Sequence, residues 1–184
     1  LVLNSINDED EEPGLYHYVS ETHLLEHRAT LSRQLWQSLM EQVPAGSFLV
    51  GLSSVIWRET WKYGERAFRY CQHDIGHAIA ALRFSTVLSG WQLRLVSGWS
   101  SDDMAALLGL DRAEDFIPKE REEPELLAIV VPNSDAEVPE PRVELPSVET
   151  MRLIRDSQWF GKANQLSREY VAWPIIDEVA DATR

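Results

Sequence analysis

At 184 residues the chain is long enough for one domain with its own core, and 44% hydrophobic residues is ordinary for a globular protein. A formal net charge of -13 excludes general nucleic-acid binding, because most of the surface repels a phosphate backbone. No apolar run approaches the roughly 18 residues that cross a bilayer, the first residues turn acidic at Asp8 instead of resembling a signal peptide, and a single cysteine, Cys71, excludes an internal disulfide framework. The expectation is a cytoplasmic protein with neither a membrane nor a nucleic acid as partner.

In chain order, Leu1-Val2-Leu3 reads as the tail of a strand. Residues 4–14 carry Asp8 to Glu12 and then Pro13-Gly14, an acidic loop ending in a turn. Leu15 to Val19 alternates and predicts a short strand. Leu24, Leu31, Leu35, Leu39 and Met40 among polar residues predict an amphipathic helix over 24–40, starting near Ser20 or Thr22 and stopped by Pro44-Ala45-Gly46. Phe48 to Ile56 is an apolar run with the look of a buried strand. After Gly64 the pattern becomes helical, with Phe68, Cys71, Ile75, Ile79, Leu82 and Val87 on one face.

Residues 92–96 form a strand candidate and Ser97-Gly98-Trp99 a turn. Ser100 or Ser101 caps a helix that has Asp102 and Asp103 in its first turn and Gly109 at its end. Pro124 leads into a strongly apolar strand, Leu126 to Val131, and residues 132–146 are a Pro- and acid-rich linker. A helix from Ser147 to about Phe160 follows, and a last one over 164–184 is interrupted near Pro174. Strands alternating with helices, plus one long apolar helix, predict a mixed α/β or α+β domain.

Three kinds of chemistry are legible between Trp57 and Trp91. Arg58, Lys62, Arg66 and Arg69 gather at a strand-to-helix junction, where free N–H groups favour an anion, although salt bridges to Glu59, Glu65 and Asp74 explain the same residues. His73 and His77 stand four apart beside Asp74, the spacing of H-E-x-x-H zinc hydrolases with Asp in place of Glu. All other histidines lie upstream, so no downstream histidine supplies a third ligand, and the pair is read as packed in a helix interface with no metal site. Lys62 and Tyr63 are adjacent, and a hydrophobic, cationic neighbourhood that lowers their pKa values would fit them for proton transfer. Cys71 falls on the apolar helix face, where a thiol is inert.

Trp61-Lys62-Tyr63-Gly64-Glu65-Arg66-Ala67-Phe68-Arg69-Tyr70-Cys71, with Asp74, Gly76-His77 and then Gly90-Trp91, resembles the signature of SagB-type dehydrogenases, a branch of the FMN-dependent nitroreductase superfamily. Gly14-Leu15-Tyr16-His17-Tyr18 before it, and Ser97 to Asp102, Leu107 to Leu110 and Glu123 to Leu127 after it, are similar to further segments of that family in order, so the likeness spans about residues 1–131. The resemblance implies an α+β, nitroreductase-like fold, incomplete at its N-terminus, with a long central buried helix. It implies FMN as cofactor, a small-molecule or peptide substrate, and a homodimer partner or second nitroreductase-like domain.

On this resemblance Lys62 and Tyr63 are the catalytic pair that removes the substrate proton as hydride leaves, and Ser97 and Gly98 pass the flavin ring through their backbone. Arg66 adds positive charge for the cofactor. The family's Arg-Arg-Ser helix and Pro-Ser-Gly strand end, which hold the phosphate and underlie the ring, occur nowhere in this sequence, and Arg142 is the one basic candidate late in the chain. The expected organisation is therefore a piece of a longer flavoprotein: a nitroreductase-like domain over 1–131, the linker over 132–146, and a helical connector over 147–184 toward a further domain. The alternatives are a non-catalytic nitroreductase-like module serving as half of a pseudo-dimer and, more remotely, a zinc hydrolase acting through His73 and His77.

Overall fold

The computed structural model describes residues 2–4, 13–117, 120–133, 143, 145–165 and 168–183. The chain is a mixed α+β protein built on one antiparallel sheet. In chain order its elements are β1 (Val2–Asn4), β2 (Gly14–Val19), β3 (Leu24–Thr30), α1 (Arg33–Met40), β4 (Phe48–Ser54), α2 (Trp57–Tyr63) and α3 (Ala67–Leu88). Then come β5 (Trp91–Leu95), α4 (Ser101–Leu108), β6 (Glu123–Pro132), α5 (Val148–Arg155), β7 (Gln158–Trp159) and α6 (Pro174–Ala182). The strand order across the sheet is β5-β6-β4-β1-β2-β3-β7.

Strand β6 shows why the sheet sits between two layers. Its side chains alternate, and both sets are buried: Leu127, Ile129 and Val131 join α1, α4 and α5, while Leu126, Ala128 and Val130 face Ile75, Ile79 and Leu82 of α3. This explains the continuous apolar run from Leu126 to Val131. The approach of α4 is set by Gly51 of β4, where a Cβ would lie 2.5 Å from Leu108 Cδ2.

The caps follow the sequence. Ser100 accepts from Asp103 N–H while the Asp103 carboxylate accepts from Ser100 N–H, and Gly109 ends α4 in the left-handed region at φ 72°. Ser147 caps α5 by accepting from Thr150 N–H.

Four expectations need correction. Residues 24–30 are a strand rather than the first half of a helix: β3 pairs with β2 from Thr30 to Leu24, and the helix starts only after Ser32, whose hydroxyl accepts from Leu35 N–H. Pro174 opens α6 rather than interrupting a helix, because a first-turn position needs no N–H. The helix after Ser147 ends at Arg155, short of Phe160, and Gln158–Trp159 returns as β7 beside β3. Finally, α3 is long but not buried. Of its residues Ala67, Cys71 and Thr86 are buried, whereas Phe84, Val87 and Leu88 are 73%, 67% and 88% exposed. It lies on one face of the sheet and turns its other side outward.

The acidic stretch 5–12 and most of the 132–146 linker lie outside the described residues; within that linker Val143 is buried in the core shared by α1, α4 and α5. Ile154 of α5 belongs to the same core. Helix α6 packs Ile176 and Ala180 against Ile56, Ala67 and Cys71. No described helix is long and apolar enough to cross a membrane.

Candidate functional site

Antiparallel pairing of β6 with both β4 and β5 makes β4 and β5 run the same way. The chain therefore leaves both strands at one end of the sheet. β4 continues into α2, which carries Lys62 and Tyr63, and β5 continues into Ser97 and Gly98. The two pairs expected to work together thus stand at the same sheet end, but no described cavity is lined by both.

Tyr63 is the last residue of α2, and Gly64 terminates the helix at φ 55° and ψ −136°, a conformation open to glycine. Trp173 covers that turn, 3.2 Å from where a Cβ on Gly64 would stand. The Tyr63 ring stacks on Tyr70 with centroids 4.1 Å apart and packs into the cluster that holds Ile176 and Ala180. The Lys62 ammonium stands 4.9 Å from the Tyr63 ring centroid, while the side chain itself is exposed. Its hydrogen bond and proximity to Tyr63 raise the Lys62 pKa above the ordinary lysine value. The sequence reading required the opposite direction, and the reason is plain: the surrounding cations are absent from the immediate contact, whereas Tyr63 is present.

The basic cluster separates. Arg58 is a structural cation: its guanidinium donates from Nε and Nη2 to Glu120 Oε2 at 3.2 and 3.0 Å, and from Nη2 to both oxygens of Asn164 at 3.1 Å. Arg66 and Arg69 are exposed. The partners Glu120 and Asn164 lie 62 and 106 positions from Arg58, beyond the reach of local pattern reading.

His73, Asp74 and His77 also differ from expectation. They are exposed on the outward side of α3, with the Asp74 and His77 side chains 74% and 83% accessible and 3.8 Å apart, so they do not hold the helix against the sheet. Among the described residues no group of three or more His, Cys, Asp or Glu side chains is arranged to hold a metal ion. Cys71 is buried, and burial first, then the carboxylates of Glu59, Glu125 and Asp74, push its thiol up to about 11.

Gly98 has φ 91° and is exposed, and a Cβ there would approach Leu145 Cδ2 at 3.3 Å. The main chain at this turn is exposed beside the Leu145 side chain. Arg58 is committed to Glu120, while Lys62, Arg66 and Arg69 stand exposed around the α2–α3 corner.

Sequence reading also missed three concavities at this end of the sheet. One, of about 250 Å³, lies between α2 and α6 and is lined by Trp57, Thr60, Arg121 and Tyr170 among others. Trp57 stacks on Tyr170 at 5.2 Å and donates from its indole to Val171 O at 3.2 Å. A second, of about 330 Å³, includes Gln72, Ser101 and Glu125. The third and largest of them, about 590 Å³, opens beyond the C-terminus of α4. No protein-family model matches the chain, and neither the curated proteins nor the solved structures give a match.

Proposed function

We propose that this chain is an FMN-dependent oxidoreductase module of the SagB-type, nitroreductase-like kind, acting on a small-molecule or peptide substrate. The observation that carries the reading is the long composite segment from Trp61 to Cys71, together with the arrival of Lys62–Tyr63 and Ser97–Gly98 at one end of the sheet. When bound, FMN supplies hydride transfer. Ser97 and Gly98 offer backbone to the ring, and Arg66 offers charge. Lys62 and Tyr63 work as a unit on the substrate proton, the lysine standing 4.9 Å from the centroid of the tyrosine ring.

The test is purification of the protein, followed by identification of any released flavin. Stoichiometric FMN is the expected result; stoichiometric zinc without flavin overturns the reading. Without an Arg-Arg-Ser or Pro-Ser-Gly segment the 184-residue chain should bind FMN weakly. Charge-assisted hydrogen bonds to a phosphate contribute about 1.5 to 3 kcal/mol each, so lacking two or three of them costs roughly three orders of magnitude in affinity.

A second reading has its own support. Phe84, Val87 and Leu88 leave an apolar stripe on the outward side of α3, as a non-catalytic half of a pseudo-dimer would require. Flavin in the full protein with no loss of turnover in Lys62 or Tyr63 variants favours this reading over the catalytic one.

A further inference from the structure

The cavity of about 330 Å³ lies where the first turns of α3 and α4, the start of β6 and the end of α6 meet. Lys62, Tyr63, Ser97 and Gly98 do not line it, so binding there is independent of the flavin reading. Phe68, Met104 and Pro124 give it apolar wall, and Gln72, Glu123 and Glu125 give it polar wall.

The charge at this cavity has one sign. Among the described residues two glutamates line it and no lysine, arginine or histidine does. Glu123 is paired with Arg121, which lines the neighbouring 250 Å³ concavity instead. Glu125 has a neutral partner only: its Oε2 accepts from Gln72 Nε2 at 2.8 Å, and its Oε1 is buried with no hydrogen-bond partner among the described residues. An acceptor cut off from both water and donors is destabilising, more so when the group is charged. One negative charge and one acceptor are therefore left over, and both belong to the same carboxylate.

The helix ends do not reverse this sign. Thr183 brings the C-terminus of α6 to the cavity, the end of a helix that favours a cation. Ser101 brings the N-terminus of α4, which favours an anion, but Asp102 and Asp103 already occupy that first turn.

We propose that this cavity binds a small primary ammonium with an apolar body, the ammonium donating to Glu125 Oε1 and the body lying against Phe68, Met104 and Pro124. An ammonium carries three donors and no acceptor, so it supplies the missing charge and the missing hydrogen bond together. The carboxylate torsion of a glutamate is soft, and Oε1 can turn to an entering donor while Gln72 keeps its hold on the group. A thioether and an aromatic ring suit an aromatic body, and the volume sits at the small end of ligand sites.

The full 184-residue chain is titrated at pH 7 with phenethylamine, which is then charged like a lysine, with uncharged phenethyl alcohol and with trimethyl(phenethyl)ammonium, which has charge but no N–H. Calorimetry gives the affinities, and NMR of the Gln72 side-chain amide reports on the Glu125 carboxylate. Phenethylamine should give a saturable shift of that amide, and each of the other two should bind at least about tenfold more weakly. Glu125→Gln should weaken phenethylamine by at least about tenfold as well. No saturable shift at Gln72, equal binding of the alcohol or of the trimethyl compound, or full affinity in folded Glu125→Gln would each overturn the proposal. The three-ligand comparison uses the unaltered chain, so it decides even where Glu125→Gln does not fold.

Discussion

Gly51→Ala probes the closest approach between the sheet and its covering helix. The new Cβ would lie 2.5 and 2.8 Å from the two Leu108 methyls and 3.2 Å from Leu108 Cγ. Carbon atoms favour about 3.5 to 4.0 Å, so the leucine must withdraw by about 1 Å. It has little room to do so: Leu108 is 3% exposed, and Leu107 and Leu127 of the same core are 0% and 1% exposed. Overpacking of this kind costs about 1 to 3 kcal/mol. Loss of glycine's freedom in the unfolded chain returns about 0.4 to 1 kcal/mol, leaving a net destabilisation of about 0 to 2.6 kcal/mol. Leu108→Ala alone should cost about 2 to 5 kcal/mol through its cavity. In the double variant the added methyl faces that cavity instead of a leucine, so its own penalty should vanish. Urea unfolding of the four proteins measures the cycle. Additivity within about 0.5 kcal/mol would refute the packing account.

Arg58→Ala removes a cation from a carboxylate that is 5% exposed, and stability should fall by about 2 to 4 kcal/mol in urea melts, less than for a wholly buried pair because Arg58 is 29% exposed. His77→Ala, by contrast, should stay within about 0.5 kcal/mol of the parent in the same melts, since its side chain is 83% accessible. Cys71 gives a pH signature: with the folded thiol at about 11 and the ordinary thiol value at 9.0, the unfolded chain loses its proton first. This contribution is therefore fully present below pH 9 and is lost as pH rises through about 11, and Cys71→Ser should remove that part of the alkaline slope. Under the proposed function, Lys62→Ala or Tyr63→Phe should lower turnover by about 10² to 10⁴ with flavin content retained, and full activity in both would remove the pair from the mechanism.

What the sequence disclosed was what local chemistry decides. Ser100, Asp103 and Gly109 marked the two ends of α4 because capping is settled within a few residues. The buried β6 was legible as an unbroken apolar run, since both of its faces are covered. β3 was not legible. Leu24 and Leu31 sit seven apart as in a helix, yet Leu24 and Leu25 are exposed in the hairpin, and pairing with β2 overrides the periodicity. The outward side of α3 misled for a related reason: Phe84, Val87 and Leu88 are apolar without being covered in the single chain. At the site, the identity of Lys62 and Tyr63 could be read, but the rise in the lysine pKa depended on a rotamer-level contact. Glu120, Asn164 and Trp173 reach the corner from the distant part of the chain, and no spacing rule announces them.

The three residues of β1 have a mechanical consequence. They are the only strand pairing, among the described residues, between the β5-β6-β4 half of the sheet and the β2-β3-β7 half. Among the described residues the ladder across this seam is Val2–Asn4 with β2 and Val2–Leu3 with β4. The halves stay in step through side chains instead, because Leu15 and Ala29 from one half share a core with Leu49, Leu127 and Ile129 from the other. Amide exchange should then sort into two cooperative groups, one on either side of β1, whose opening rates are tied together by the shared leucine layer and not by the hydrogen-bond ladder.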